Sequence, residues 1–137
     1  ALQAVIPEMT AMLRLAPPDP SHELTVGEHS IYAVRQLDEL WHKRKSDDEI
    51  GALWNGVEDV ELLVLATLLH DVGKIEPNTD HSISGEKIGA KIGERLGLSA
   101  ARLDKLKLLI RRHLLLPRIA RLRDLSAPAT IRRVVGY

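Results

Sequence analysis

The longest apolar run of the chain predicts a buried central helix. Residues 58–70 are apolar on nearly every side of a helical wheel, most densely over residues 62–69. A helix that is hydrophobic all round is stable only where other elements cover it. The sequence therefore predicts that this segment lies in the middle of the core.

An amphipathic helix is predicted before the central one, over residues 26–44. Its inward face is made of His29, Ala33, Leu37 and Leu40, which recur at helical spacings. Segment 1–21 contains four prolines and is predicted as a short helix near residues 8–15 followed by an extended linker. The polar stretch 45–55 is predicted as a loop that could include a helical turn.

Two further helices are predicted after the central one, beyond a loop at residues 76–80. Over residues 81–96 the predicted inward positions are Ile83, Ile88, Ile92 and Leu96. Gly97 is suited to end that helix, and Ser99 is suited to cap the next one. In the latter helix the predicted inward positions are Leu103, Leu106, Ile110 and His113.

Proline and composition complete the predicted architecture. Pro117 should stop the preceding helix near residue 116, and Ser126 and Pro128 would open a last helix to about residue 135.

Aromatic residues make up only 3% of the chain and phenylalanine is absent, so aliphatic side chains must fill the core, which suits packed helices. The predicted fold class is all-α, in a single domain.

Composition excludes several classes of function. The chain has no cysteine, which rules out disulfides and thiolate chemistry and fits a reducing cytoplasm. No apolar stretch approaches the roughly 20 residues of a membrane span, and no signal pattern opens the chain. No membrane partner is therefore predicted.

The net charge is zero, but the charges are unevenly distributed. Residues 1–60 hold 11 acidic against 5 basic side chains, whereas residues 101–137 hold 10 basic against 2 acidic ones. The basic end could attract a phosphate group or an acidic partner, or it could consist of solvated helix faces. Nucleic acid is an improbable partner because few aromatic side chains are present to stack on bases.

The strongest candidate for chemistry is the pair His70-Asp71, at the end of the central apolar run. Burying an imidazole beside a carboxylate is costly unless something binds them, and a divalent metal accepts both groups. Further candidate ligands elsewhere in the chain are His29, His81, His113 and Asp124. The sequence predicts a metal site at the tip of the central helix.

These residues make the chain resemble the HD-domain metal-dependent phosphohydrolases over about residues 24–135. The segment LLHDVGK at 68–74 is similar to the central motif of that superfamily. A closer likeness is to the HD domain of the bacterial PII-protein uridylyltransferase/uridylyl-removing enzymes. It is carried by LTVGEH at 24–29, DHSISG at 80–85, GLS at 97–99, RHLLL at 112–116 and above all LRDLSAPATI at 122–131. The resemblance implies an HD-type helical bundle over residues 22–137.

The resemblance also implies a ligand set. One ion would be held by His29, His70, Asp71 and Asp124, and a second by His81 and His113 with Asp71 as the bridge. Such nitrogen and oxygen ligands suit Mn, Fe, Mg or Zn, and the sequence does not choose among them.

The chemistry of such a site suggests roles for residues around the metal, although Lys74 could instead be a surface residue that ends a turn, and any of the arginines could simply be solvated. Asp71 and Lys74 would be catalytic, Lys74 by facing the charge that develops on the phosphoryl group. Three arginines are candidates for gripping phosphate, namely Arg111, Arg112 and Arg123. His22 would lie at the edge of the cleft.

The implied activity is removal of UMP from a uridylylated tyrosine of a PII-type signalling protein. One alternative is a non-catalytic regulatory module that binds nucleotide or protein. Another is a hydrolase of free nucleotides, cyclic dinucleotides or a tRNA end. The nucleotidyltransferase and regulatory domains of the family are absent and the chain starts at Ala1, so we expect a piece of a larger protein.

Overall fold

A computed structural model of the chain describes residues 2–16, 23–46, 48–122 and 128–130. The regular elements within these ranges are all helical, which confirms the predicted fold class. They are α1 (Leu2–Val5), α2 (Glu8–Arg14), α3 (Val26–His42), α4 (Glu49–Trp54), α5 (Val60–Leu69), a 3₁₀ turn (Val72–Ile75), α6 (His81–Arg95), α7 (Ala100–Arg112) and α8 (Leu115–Leu122). In this part of the chain, none of the helices has the length and hydrophobicity needed to cross a membrane.

Helix α5 is the central helix, packed between α3 and α7. It begins at a cap in which the Asp59 carboxylate accepts a hydrogen bond from the amide of Leu62 at 3.0 Å. Its buried face is Leu62, Ala66 and Leu69. The opposite side is partly open, since Val64 is 37% exposed. The prediction of burial on all sides was therefore wrong for that face.

The N-terminal helices contribute directly to the core. Met9 and Met12 of α2 are fully buried, and α2 packs against α3 and against the 3₁₀ turn. The amide of Val26 donates to the carbonyl of Leu15 at 2.9 Å, which links the chain just after α2 to the start of α3. On α3 the predicted inward face is partly wrong, because Leu40 is 40% exposed.

Helices α6 and α7 pack closely against each other, and small residues make the contact possible. The face of α6 that is buried consists of Ser84, Gly85, Gly89, Ile92 and Gly93. A Cβ added to Gly89 would strike the end of the Ile110 side chain, and one added to Gly85 would lie 3.1 Å from Cγ2 of Ile110. The predicted inward positions Ile83 and Leu96 are instead 40% and 38% exposed, because α7 packs against the glycine face.

Helix boundaries agree with the prediction where capping residues mark them. Gly97 has a φ of +75° just past α6, and the Ser99 hydroxyl accepts from the amide of Arg102 at the start of α7. Pro117 was misread: α7 already ends at Arg112, and Pro117 is the third residue of α8. The first turn of a helix tolerates proline because the amides there have no partner within the helix.

The other boundary differences concern less regular segments. The stretch predicted as a loop contains α4, which is capped by the Asp48 carboxylate through the amides of Ile50 and Gly51. The indole of Trp54 donates to the carbonyl of Leu40 at 2.9 Å and so fixes α4 against α3. Of the predicted last helix, residues 128–130 are helical, and its other positions lie outside the described residues.

Candidate metal centre

Four helix ends meet at one point of the bundle. His70 directly follows α5, His113 directly follows α7, and His81 is the first residue of α6. His29 lies near the start of α3. Asp71 stands between α5 and the 3₁₀ turn, so that segments far apart in the sequence bring one carboxylate and four imidazoles together.

Asp71 is the centre of this cluster and is 4% exposed. Its Oδ2 lies 3.9 Å from Nε2 of His29 and 3.3 Å from Nε2 of His70. Its Oδ1 lies 3.9 Å from Nε2 of His81 and 3.5 Å from Nε2 of His113. The carboxylate is thus shared by two three-residue groups, each with its potential ligand atoms within 4.8 Å of one another.

Backbone carbonyls orient two of the rings. Nδ1 of His70 lies 2.7 Å from the carbonyl oxygen of Thr67, and Nδ1 of His113 lies 2.7 Å from that of Ile110. A carbonyl only accepts hydrogen bonds, so each Nδ1 carries the proton and Nε2 faces Asp71. This is the arrangement in which an imidazole is prepared to bind a metal.

The electrostatics of the cluster keep Asp71 ionised. Burial alone would raise the pKa of Asp71, but its close contacts with His113, His70 and Lys74 hold that pKa far below its usual range. Burial works to lower the pKa of His70, yet its contact with Asp71 outweighs this and raises the value. The pKa of His81 is lowered, chiefly by burial.

A divalent ion fits this set of side chains. Nε2 of His113 is buried and has no hydrogen-bond partner among the described residues, although it faces the carboxylate of Asp71. Two electron-rich atoms facing each other in a buried site call for a positive charge between them. Imidazole nitrogens together with a carboxylate are ligands that Mn, Fe or Zn accept, so the residues present suit a metal.

The cluster has an open side, at His29 and His81. The side chains of His70 and His113 are 18% and 12% exposed, whereas those of His29 and His81 are 50% and 30% exposed. Lys74 lies on the open side as well, with its Nζ 2.7 Å from Oδ2 of Asp71. His29, His81 and Lys74 are therefore the side chains of the cluster that face solvent.

The remaining predicted site residues divide into two groups. Arg111 and Arg112 lie in the last turn of α7, immediately before His113. Arg111 Nε is 3.8 Å from a Glu86 oxygen, and its terminal nitrogen Nη1 is buried without a hydrogen-bond partner in the described part of the chain. The other three predicted positions lie outside the described residues: His22, Arg123 and Asp124.

Sequence reasoning missed the residues that support the cluster. Thr67 and Ile110 act through their carbonyls, three residues before a histidine, and that spacing at a helix end is the only sequence signal for them. Ser84 was also missed: its hydroxyl donates to the carbonyl of Gly73 at 3.1 Å and ties the 3₁₀ turn to α6. These contacts hold the segment that carries Asp71 and Lys74.

An all-helical bundle with adjacent histidine and aspartate at its centre is the arrangement of an HD domain. The HD domain model matches residues 26–134, and the chain belongs to this family. Among curated proteins, it is similar to the bifunctional uridylyltransferase/uridylyl-removing enzymes. The relative from Ruegeria pomeroyi is 34% identical over 134 residues, which is 96% of this chain and 14% of the relative.

Other relatives with the same name give comparable matches. The protein from Mycobacterium tuberculosis H37Rv is 35% identical over 95% of this chain and 14% of its own length. The protein from Streptomyces coelicolor is 47% identical over 54% of this chain and 9% of its own length. The chain therefore spans about one seventh of the first of these relatives. No solved structure matches.

Proposed function

We propose that this chain is a metal-dependent phosphohydrolase that removes UMP from a uridylylated tyrosine of a PII-type signalling protein. The observation that carries the proposal is the Asp71 cluster, in which four histidines from separate helices surround one buried carboxylate. The uridylyl part of the proposal is supported by the uridylyl-removing relatives, whose similarity extends over nearly the whole chain.

The cluster would hold one or two ions. His29, His70 and Asp71 would bind the first, and Asp71, His81 and His113 the second. Ions of this kind supply an acidified water and a positive charge for the phosphoryl oxygens. The chain's contribution is to present Nε2 atoms without protons, since the Nδ1 protons of His70 and His113 are fixed on backbone carbonyls.

In this proposal, Lys74 acts on the phosphoryl group itself. Its ammonium contacts the buried Asp71 while its side chain is 39% exposed, so it lies between the cluster and the solvent side. A cation held there stabilises negative charge as it grows on the phosphoryl oxygens. Because the Asp71 contact fixes its position, little reorganisation is needed when substrate binds.

The leaving group suits a site of this type. A tyrosine phenol has a pKa of about 10, so the P–O bond to tyrosine breaks more readily than a bond to an alkyl alcohol. Water adds to phosphorus, the tyrosine oxygen leaves with the electron pair and takes a proton, and the uridine ester bond of UMP remains intact.

The test uses the 137-residue chain loaded with manganese and incubated with a uridylylated PII-type protein and with nucleotide phosphodiesters. We expect UMP release, and we expect Asp71→Asn to lose both metal content and activity because it keeps the size but removes the shared charge. Asp104→Asn is the matched control, since Asp104 lies on α7 with a side chain that is 77% exposed.

Three results would contradict the proposal in whole or in part. Metal bound in stoichiometric amount with no hydrolysis of any of these substrates would argue for a regulatory module that binds nucleotide without turnover. Metal content unchanged in Asp71→Asn would show that the ligand set is wrong. Hydrolysis of nucleotide phosphodiesters but not of the uridylylated protein would leave a phosphohydrolase with a different substrate.

A further inference from the structure

A cavity of about 300 Å³ opens beside the metal cluster. Two of its lining residues, Lys74 and His81, also contact Asp71, so one end of the cavity borders the cluster. The rest of its wall comes from the segment after α2, the start of α3 and the loop that follows the 3₁₀ turn. These lining residues are Leu15, Ala16, Val26, Glu76, Pro77, Asn78 and Thr79.

We propose that this cavity binds the nucleoside of the substrate and that the side chain of Asn78 recognises the edge of the uracil base. The inference rests on the proposed function, because that function places a phosphorus atom at the cluster. A group bonded to that phosphorus atom would therefore lie next to this cavity. Its volume lies at the lower end of the range for small-molecule sites and suits a nucleoside better than a segment of folded protein.

The apolar part of the wall suits the faces of a planar ring. Leu15, Val26 and Pro77 present aliphatic surface to the cavity, and Val26 is held in place by the core, at 3% exposed. A pyrimidine has apolar faces and a polar edge. Apolar walls combined with a few polar groups that fix orientation are the general pattern of such sites.

Among the described lining residues, Asn78 is a neutral polar group that the fold leaves available. The Thr79 hydroxyl is engaged, donating to the carbonyl of Glu76 at 3.1 Å and lying 3.2 Å from the Ser84 hydroxyl. In the described part of the chain, the Asn78 side chain makes no such hydrogen bond, although its amide offers both a donor and an acceptor. Uracil presents the complementary set, an N–H flanked by carbonyl oxygens.

The backbone at Asn78 makes the assignment testable. Its φ is +62°, a left-handed conformation that asparagine tolerates and glycine adopts without strain. Glycine at this position would therefore preserve the backbone conformation equally well. Asn78→Gly keeps the turn and removes the side chain with its amide group.

Glu76 sets the charge preference of the cavity. Lys74 is the only cationic side chain among its described lining residues, and Glu76 adds a carboxylate. A carboxylate accepts hydrogen bonds from ribose hydroxyls, as acidic residues do in dinucleotide-binding folds, and it repels further phosphates. The cavity therefore favours a nucleoside with a single phosphate at the cluster end.

The experiment measures binding and turnover separately in the manganese-loaded chain. Calorimetry compares UMP with ribose 5-phosphate, which lacks the base. Kinetics compare uridine 5′-(p-nitrophenyl phosphate) with methyl p-nitrophenyl phosphate. We expect UMP to bind about tenfold more tightly than ribose 5-phosphate, the effect of roughly one net hydrogen bond and ring contact. Asn78→Gly should remove most of that difference and lower the kcat/KM ratio of the two esters about tenfold.

The matched control is Asn55→Gly, an exposed asparagine at the end of α4, which should leave both comparisons as in the parent chain. Equal binding of UMP and ribose 5-phosphate, or unchanged UMP preference in Asn78→Gly, would overturn the inference. If both esters are cleaved without preference, the cavity assignment fails while the phosphohydrolase stands. If UMP binds through Asn78 but no phosphodiester is cleaved, the cavity assignment stands and the proposed function fails.

Discussion

Truncating Ile110 to alanine should destabilise the fold by about 3 kcal/mol, within the range for removing a fully buried aliphatic side chain. Ile110 is 0% exposed, and its side chain lies against Gly85 and Gly89 of α6. Because glycines have no side chain to move into the vacated space, the cavity that remains should be poorly filled.

Because this truncation leaves space, we expect the effects of Ile110→Ala and Gly89→Ala on the free energy of unfolding to be coupled. In the parent chain, the added Cβ would strike Cδ1 of Ile110, so overpacking of about 1–3 kcal/mol opposes a gain of about 1 kcal/mol in helix propensity. The single substitution should therefore be neutral or destabilising. When Ile110 is truncated to alanine, Cδ1 is absent, so Gly89→Ala brings only the gain in helix propensity. The double variant should be about 1–3 kcal/mol more stable than the sum of the single effects predicts.

The assay is urea unfolding of the four metal-free proteins, followed by circular dichroism and extrapolated to zero denaturant. Ile83→Ala is the matched control for truncation of an isoleucine, and it should cost less than about 1 kcal/mol because Ile83 is 40% exposed. Additivity of the two substitutions within about 0.5 kcal/mol would refute the close approach of α6 and α7 that the glycine face provides.

Three further predictions concern separate parts of the molecule. Lys74→Met should lower kcat roughly a hundredfold with metal content unchanged, which metal analysis and steady-state kinetics would check; an unaltered kcat would remove Lys74 from the mechanism. Ser99→Ala should cost about 1 kcal/mol in urea unfolding by removing the cap of α7, and no loss would mean that the cap is dispensable. Burial raises the pKa of Glu8, but the Arg95 contact outweighs this and lowers it. Stability from this pair is therefore present above the ordinary glutamate pKa and lost as pH falls through the lowered one. Arg95→Leu should flatten the acid dependence, and an equally steep loss in acid would count against the pair.

Much of the fold was predictable because local signals agreed with the final packing. The apolar run ending at His70 identified the central helix, and Gly97 and Ser99 marked a helix end and a helix start that the structure contains. These residues act through their own backbone conformation or through hydrogen bonds to neighbouring amides. Such effects depend little on the rest of the chain.

Packing between elements was harder to predict. Hydrophobic periodicity placed Ile83 and Leu96 inside, but α7 lies against the narrower face of α6, where Gly85 and Gly89 allow a closer approach. Apolar periodicity counts large side chains and does not register surfaces made of small ones. Glycines spaced four apart on α6 were the available signal. Pro117 was misjudged because its effect depends on whether a helix has already ended before it.

For the candidate site, the sequence indicated which residues could bind a metal but not how they are arranged. The adjacency of His70 and Asp71 was informative by itself, and the described structure brings His29, His81 and His113 to the same carboxylate. Which ring nitrogen faces the centre depends on carbonyls at helix ends. The cavity beside Lys74 is formed by three separated segments. The ring orientation is signalled only by a spacing of three residues at a helix end, and the cavity depends on how the elements pack, so no local pattern indicates it.

The position of the histidines at helix ends has a consequence for the stability of the protein. An ion bound there would fasten the ends of α3, α5, α6 and α7 to one another, as a removable cross-link does. Ligands that bind only the native state shift the folding equilibrium by mass action, by about 2.7 kcal/mol when the free ion is at a hundred times its dissociation constant. Supply of the metal would then govern the lifetime of the domain against unfolding and proteolysis, in addition to its chemistry.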